Sequence, residues 1–303
     1  MSVSSDKVGI IGLGAIGSAF AHRLLQAKVP VVGFDVSEAA VAALEKAGGT
    51  RAASPAAVAA SCSTVIFSLP SVDALSATLA GEGGIVGAVA GPGTIIDTNT
   101  FAVTDKDKAR KILADAGWGM IDCTFSGNRD MVLTGDYAFF ASGDPKLIDT
   151  SQAVLDILSN RVIRLGEFGE AATIKLIVNH LGMVHTAAAA EAMAFAVKAG
   201  IDPHLFYNVV IQSAASSGAF ELRAKMMADE DYTSSRGNYR IAIKDAKVIA
   251  DFAGHLNYPT PLFQSAVQMH LMGVAQGLED QDTASMGTML ERLSSAKRKP
   301  PKR

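Results

Sequence analysis

The chain has 303 residues, of which 49% are hydrophobic and 19% charged, and its formal net charge is −3 at pH 7. At roughly 100–200 residues per domain, this length predicts two domains. The composition is that of a globular protein and excludes a disordered or fibrous one. The slight negative charge excludes strong electrostatic capture of nucleic acid, and no apolar stretch reaches the ~18 residues that span a membrane. Cys62 and Cys123 are too few for a disulfide framework, and the N-terminus lacks a secretory signal, so we expect a cytoplasmic protein.

Strand-like runs alternate with helical stretches in the first half of the chain. In chain order, we predict strands at Val8–Ile11, Val31–Phe34, Thr64–Leu69, Thr94–Asp97, Trp118–Asp122, Tyr137–Ala141 and Arg161–Leu165, and helices at Ser18–Gln26, Ala39–Ala47, Val72–Leu79 and Lys106–Ala116. This alternation favours a parallel sheet with helices on both faces.

After Gly166 the strand signals stop, and the pattern is helical to about Arg292. We therefore predict an α/β domain at residues 1–165, an all-helical domain at 166–294 and a basic, disordered tail at 295–303. The alternative for the tail is a patch that binds nucleic acid or a membrane surface.

Four predicted helix starts share a capping residue followed by proline. The caps are Ser54, Asp144, Asp202 and Thr260. Each side-chain oxygen can accept a hydrogen bond from the first turn, where proline has no N–H to lose. We interpret these positions as architecture without chemistry.

A glycine motif follows the first predicted strand and opens the first predicted helix. It comprises Gly12, Leu13, Gly14, Ala15, Ile16 and Gly17. In this position it is the dinucleotide-binding fingerprint of a Rossmann domain: its glycines allow a tight turn, the approach of the pyrophosphate and close packing of the helix on the strand. The alternative is a structural glycine turn without a ligand.

An acidic residue, Asp35, ends the second strand about 20 positions further on. A carboxylate there can accept hydrogen bonds from both ribose hydroxyls and would repel a 2′-phosphate. Because neither Val36 nor Ser37 is basic, we predict NAD as the cofactor and NADP as the less favoured one. The plainer alternative is a strand-end carboxylate without a ligand.

Lys175 and Asn179 lie four residues apart in the first helix after the domain boundary, and therefore on one face of it. A lysine among apolar neighbours can have its pKa lowered by desolvation, which suits general acid–base catalysis. Asn179 can orient the lysine or a substrate oxygen. The competing interpretation is a lysine that simply extends its amine to solvent.

Four segments in this order make the chain similar to the β-hydroxyacid dehydrogenases, the family of 3-hydroxyisobutyrate and tartronate-semialdehyde reductases. The segments are the glycine motif, the run Asp122–Asn128, the run Gly166–Gly169 with Lys175 and Asn179 after it, and the pair Lys244-Asp245. The resemblance extends from Val8 to about Leu293. Each segment alone is unspecific, but four of them in order, with family-like spacing, are specific.

The resemblance implies an N-terminal Rossmann domain, an all-helical C-terminal domain and a homodimer or homotetramer. It implies hydride transfer between NAD and a small 3-hydroxy acid, with Lys175 as the catalytic acid/base. By the same resemblance, the residues implied in substrate binding are Ser126, Gly127 and Asn179, and those implied in cofactor binding, beside the glycine motif, are Leu69, Pro70, Thr100 and Lys244.

The substrate loop departs from the family pattern Asp-Ala-Pro-Val-Ser-Gly-Gly. Cys123, Thr124 and Phe125 replace its middle, and Asn128 replaces its last glycine. Asparagine tolerates positive φ better than most residues and adds an amide, so we count Asn128 among the substrate-binding residues. Arg129 can pair with a second carboxylate of the substrate, or lie on the surface as an ordinary arginine.

The histidines do not predict a metal site. His180 stands where the family commonly has a second asparagine, and His180, His185 and His204 lack a carboxylate at ligand spacing. We therefore predict three structural histidines and no metal.

Two other functions are compatible with this fold. Imine reductases resemble the chain but generally lack the lysine and favour NADPH, so Lys175 and Asp35 count against that activity. A non-catalytic NAD-binding module would also be expected to lose the lysine.

Overall fold

The computed structural model describes residues 6–86, 92–233 and 237–298. The chain forms two compact units, Met1–Lys175 and Leu176–Arg303, and each unit is described by itself below.

Eight strands of the first unit form one sheet in the order β3-β2-β1-β4-β5-β6-β7-β8. The strands are β1 (Val8–Ile11), β2 (Val31–Phe34), β3 (Thr50–Arg51), β4 (Thr64–Phe67), β5 (Gly93–Asp97), β6 (Trp118–Ser126), β7 (Ala138–Ser142) and β8 (Arg161–Arg164). Neighbouring strands are parallel except β6 and β7, which pair antiparallel with Ser126 opposite Ala138. The chain order reverses between β1 and β4, which is the switch point where open α/β sheets bind ligands.

Within the described ranges, seven helices connect these strands. They are α1 (Ala15–Gln26), α2 (Glu38–Lys46), α3 (Pro55–Ser61), α4 (Val72–Ala80), α5 (Val103–Asp115), α6 (Arg129–Thr134) and α7 (Pro145–Leu158). Apolar residues of α1, α2, α6 and α7 share one buried cluster with the sheet, and those of α3, α4 and α5 share a second one. The predicted parallel sheet with helices on both faces is confirmed, apart from β7 and β8, which run antiparallel to the other strands.

The long helix α8 (Glu170–Lys198) begins in the first unit and continues into the second. The second unit continues with α9 (Pro203–Val210), α10 (Gly218–Asp229), α11 (Tyr239–His255), α12 (Pro261–Ala275) and α13 (Met286–Leu293). Its described residues contain no β-strand, and its main buried cluster draws on Met193, Phe220, Met227 and Tyr239. The predicted all-helical region is confirmed, although the compact units divide ten residues after the predicted boundary at 165/166, because the first turn of α8 is bonded to β6.

Three of the four predicted caps accept a backbone hydrogen bond. They are Ser54, Asp144 and Asp202. The fourth helix does start at Pro261, but the side chain of Thr260 makes no capping bond. The ψ angle of Thr260 is 61°, whereas Ser54, Asp144 and Asp202, which do cap their helices, have ψ angles of 166°, 119° and 129°.

The start of the predicted tail packs against other residues of the second unit. The Arg298 guanidinium bonds both carboxylate oxygens of Glu291 at 2.8 and 2.9 Å and the carbonyl oxygens of Met227 and Ala228. The prediction of disorder from residue 295 is therefore wrong up to Arg298, and residues 299–303 lie outside the described part of the chain. Among the described helices, none has the length and apolar character to cross a membrane.

Candidate active site

The glycine motif forms the connection from β1 to α1. Gly12 has φ +92°, which favours glycine, and a Cβ on Gly17 would overlap the carbonyl oxygen of Gly12. Gly14 stands at the N-cap of α1, where an added Cβ would meet no atom within 4 Å. No side chain of the described residues caps α1, so backbone N–H groups of its first turn are the donors at this end. This arrangement fits the pyrophosphate of a dinucleotide.

The Asp35 carboxylate is held at the carboxyl end of β2, beside the glycine motif. Its oxygens accept hydrogen bonds from the backbone N–H groups of Leu13, at 2.6 Å, and Ser37, at 2.7 Å. The structure therefore brings Asp35 to the glycine motif. Arg51, a cation on the neighbouring strand β3, is ion-paired with Glu38 and Glu45.

Two further predicted cofactor segments meet at the same edge of the sheet. Leu69 and Pro70 follow β4, and Thr100 follows β5. The two connections are joined by the Leu69 N–H, which donates to Asn99 Oδ1 at 2.6 Å. Asn99 was not predicted from the sequence, where a polar residue beyond a strand end is too common to stand out.

Beneath this edge lies a buried charge cluster of Lys106, Asp97 and Asp122, whose side chains are all 0% exposed. Lys106 Nζ lies 2.9 Å from Asp97 Oδ2, donates to the Asn99 carbonyl oxygen at 2.9 Å, and pairs with Asp122. Burial opposes the charge of Lys106, but the two carboxylates outweigh it and raise the pKa of Lys106. Burial also raises the pKa of Asp97, against the attraction of Lys106.

The cluster extends to the N-terminus of α8. The Ala172 N–H donates to Asp122 Oδ2 at 2.7 Å, where the helix dipole favours a carboxylate. Two residues further along β6, the Thr124 hydroxyl donates to the Ala171 carbonyl oxygen at 2.9 Å. Strand β6 therefore fixes the start of the helix that carries Lys175.

Lys175 is half-buried and lies one turn into α8. Its Nζ stands 6.0 Å from the centroid of the Phe125 ring. Phe125 is followed directly by Ser126 and Gly127, the predicted substrate loop. The structure thus places the predicted acid/base beside a residue that adjoins the predicted substrate loop.

Asn128 and Arg129 start the short helix α6. The Asn128 side-chain oxygen accepts the Met131 N–H at 3.1 Å and caps the helix. Its φ of −121° is an ordinary extended value, so the replaced glycine causes no strain here. The cap employs the carbonyl oxygen, and the amide NH₂ is the part of Asn128 suited to donate to a substrate. Arg129 is exposed.

The remaining predicted residues, Asn179 and Lys244, lie in the second unit and are bridged by Asp245. Asn179 Nδ2 donates to Asp245 Oδ2 at 2.9 Å, and Lys244 Nζ lies 3.1 Å from Asp245 Oδ1. Asp245 is buried, with 8% of its surface exposed. Its position directly after Lys244 is the sequence signal for this role.

His180 stacks on Phe263 with ring centroids 4.8 Å apart, and burial lowers the pKa of His180. Within the described ranges, no group of three His, Cys, Asp or Glu side chains is arranged to hold a metal ion.

Known protein families match both parts of the chain. The profile described as the NAD binding domain of 6-phosphogluconate dehydrogenase matches residues 7–166. The profile described as NAD-binding of NADP-dependent 3-hydroxyisobutyrate dehydrogenase matches residues 169–290.

Relatives align over nearly the whole chain. L-threonate dehydrogenase from Cupriavidus necator is 31% identical over 93% of this chain and 95% of its own length. 2-(Hydroxymethyl)glutarate dehydrogenase from Eubacterium barkeri is 27% identical, over 96% of both chains. A crystal structure described as 3-hydroxyisobutyrate dehydrogenase from Salmonella typhimurium is 29% identical, with a TM-score of 0.82 over 94% of this chain and 99% of that one.

The fold and the glycine motif define an oxidoreductase with an NAD(P)-binding domain. With the profile matches and the aligned relatives, they show that the chain belongs to the β-hydroxyacid dehydrogenase family. The fold and the enzyme class predicted from the sequence are confirmed.

Proposed function

We propose that this chain is an NAD-dependent dehydrogenase of a small 3-hydroxy acid, in which Lys175 is the general acid/base. The observation that carries the proposal is the position of Lys175 in α8. The helix start is held by Asp122 and Thr124 of β6, and the lysine amine lies over Phe125, one residue before the predicted substrate loop.

Each residue of the candidate site has a proposed role in binding the substrate or transferring its proton. Ser126 and Gly127 bind the substrate carboxylate, and Asn128 donates its amide to a substrate oxygen. In oxidation, Lys175 Nζ accepts the proton of the substrate hydroxyl, and in reduction it returns that proton. When bound, the nicotinamide supplies the hydride chemistry. Asn179, held by Asp245, assists in binding the substrate.

The glycine motif and Asp35 would hold the dinucleotide. Backbone N–H groups at the start of α1 would bind the pyrophosphate, and Asp35 would accept hydrogen bonds from the ribose hydroxyls. By the family resemblance, Leu69, Pro70 and Thr100 would line the nicotinamide side, and Lys244 would contact the cofactor.

NAD is the proposed cofactor because the Asp35 carboxylate is fixed by two backbone N–H groups and Arg51 is engaged by two glutamates. We expect turnover with NAD⁺ to exceed that with NADP⁺ by roughly tenfold or more, the ratio that about 1.4 kcal/mol produces. The Asp35→Ala variant should narrow this ratio. An unchanged ratio would contradict the assignment of Asp35.

The substrate class is tested with NAD⁺ and a panel that includes L-threonate and 3-hydroxyisobutyrate, followed by absorbance of the reduced cofactor. Lys175→Ala should lower kcat by roughly 10²–10⁴-fold with unchanged NAD⁺ binding. Lys198→Ala, at the other lysine of α8, is the control. A near-normal rate in the Lys175 variant would end the assignment, and turnover of imines with NADPH would favour the rival activity.

The panel also tests whether the substrate carries a second carboxylate. Arg129 is exposed at the start of α6, next to the predicted substrate loop, and a dicarboxylate is named in one relative, 2-(hydroxymethyl)glutarate dehydrogenase. If Arg129 binds a second carboxylate, Arg129→Ala should impair diacids more than monoacids. Equal effects would show an ordinary surface arginine.

We further propose a homodimer or homotetramer. Helix α8 exposes large apolar side chains, with Ile177 55%, Leu181 50% and Phe195 73% exposed in the single chain. Light scattering after size-exclusion chromatography measures the mass directly, and a monomer at micromolar concentration would contradict this proposal.

A further inference from the structure

Phe125 directly precedes Ser126 and Gly127, and its side chain lies beside Lys175, the proposed acid/base. It stands where the related loops carry a smaller valine, and its ring centroid is 6.0 Å from Lys175 Nζ. That is the outer limit of a cation–π contact, in which the negative face of a ring attracts a cation.

The ring is held firmly in this position. Phe125 makes edge contacts with Phe20, Tyr137 and Phe139, at centroid distances of 5.9, 5.6 and 6.2 Å. Phe20, Tyr137 and Phe139 are completely buried. Because four rings interlock, the face of Phe125 presents a fixed electrostatic surface to the amine.

We propose that Phe125 is a positioning residue that stabilises the ammonium form of Lys175 by a cation–π contact. The inference rests on the proposed function, in which Lys175 gains a proton as the substrate hydroxyl is oxidised. Positive charge then develops over the ring while hydride leaves the substrate, so the ring lowers the barrier without touching the substrate. A merely structural phenylalanine would fill space and would not respond to the electron density of its ring.

The test separates charge from packing by fluorination. Mono-, di- and trifluorophenylalanine at position 125 keep the ring nearly the same size and progressively weaken the negative face. At a pH high enough for Lys175 to begin oxidation as the neutral amine, the cation–π energy of about 0.5–1 kcal/mol predicts a graded fall in kcat of about two- to fivefold in total. The dissociation constant for NAD⁺ should stay unchanged. Fluorination of Phe139, in the same aromatic cluster, is the matched control.

A second measurement needs neither substrate nor cofactor. At one fixed pH near neutrality, an amine-reactive reagent labels neutral lysine, and mass spectrometry gives the rate for each site. Trifluorination at position 125 should speed labelling of Lys175 by about two- to fivefold, because less of the amine is held as ammonium. Lys108, whose side chain is 74% exposed, serves as the internal reference.

The outcomes are distinct. Graded changes in kcat and labelling at position 125, absent at position 139, support the proposal. Equal rates along the fluorinated series, in a protein whose turnover requires Lys175, would overturn it and leave the proposed function intact. A protein with full turnover in the Lys175→Ala variant would end the proposed function, and the labelling series would still decide whether Phe125 acts on the amine.

Discussion

Replacing Lys106 by methionine should strongly destabilise the first unit. Methionine keeps most of the length of the side chain but removes the ammonium that contacts Asp97, Asp122 and the Asn99 carbonyl oxygen. The two carboxylates, both 0% exposed, would then lack their cation. Removing one partner of a buried ion pair costs about 3–5 kcal/mol, because the remaining charge stays out of water.

Urea unfolding followed by tryptophan fluorescence measures this effect where it arises. Trp118 is the only tryptophan of the sequence, lies on β6 in the first unit and is 2% exposed. With a dependence on urea of about 2–3 kcal/mol per molar, the loss of about 3–5 kcal/mol lowers the unfolding midpoint by about 1–2.5 M. Lys108→Met, on the same helix but 74% exposed, should change stability by less than about 0.5 kcal/mol.

The pH dependence of stability tests whether unpaired buried carboxylates cause the destabilisation. Burial already raises the pKa of Asp97 in the native protein, and loss of the ammonium removes the opposing attraction. The native state of the Lys106→Met variant then binds more protons than its unfolded state, so its stability falls as the pH rises. The loss in free energy of unfolding relative to wild type should therefore be larger at pH 8 than at pH 5.5. Adding Asp97→Asn to the Lys106→Met variant should recover part of this loss. Equal midpoints for the Lys106 and Lys108 variants would refute the role of the buried charge cluster.

Three further predictions concern other parts of the molecule. Gly17→Ala should lower the melting temperature, because its Cβ would overlap a backbone carbonyl. Gly14→Ala should keep the wild-type melting temperature and weaken NAD⁺ binding. Equal melting temperatures for the two variants would contradict this prediction. Burial raises the pKa of Cys62 to about 11, so this thiol should stay protonated at pH 8 and react with a disulfide reagent only after unfolding. Arg298→Ala should cost about 2–4 kcal/mol in the free energy of unfolding, because it leaves the buried carboxylate of Glu291 unpaired, and wild-type stability would contradict the docked position.

Local signals in the sequence were sufficient for most elements of the fold. The strands β1, β2, β4 and β5 are short apolar runs that end at turn residues, and the predicted bounds lie within two residues of those observed. The sequence does not predict β3, because Thr50–Arg51 is exposed and only two residues long. It does not predict the reversed direction of β7 and β8, because an apolar run does not encode the direction of its strand.

The candidate site divides in the same way. The glycine motif and Asp35 are encoded by neighbours in the chain and could be predicted together. The buried position of Lys106 could not be predicted, because a lysine in a helix is normally expected to be exposed. Its spacing to the buried Ala109 and Leu113 nevertheless places Lys106 on the buried face of α5. The contact of Phe125 with Lys175 joins residues 50 positions apart, which only the folded chain brings together.

The antiparallel pairing of β6 and β7 has an evolutionary consequence. Every parallel crossover must carry the chain from one edge of the sheet back to the other, but residues 127–137 leave and re-enter the sheet at the same edge, with Ser126 opposite Ala138. Substitutions at the exposed positions of this connection leave the register of the nucleotide-binding strands unchanged, whereas Val132, which is 0% exposed, anchors α6 in the core. In the proposed function this connection supplies residues that bind the substrate, so new specificities can arise at its exposed positions while the strands that carry the glycine motif stay unchanged.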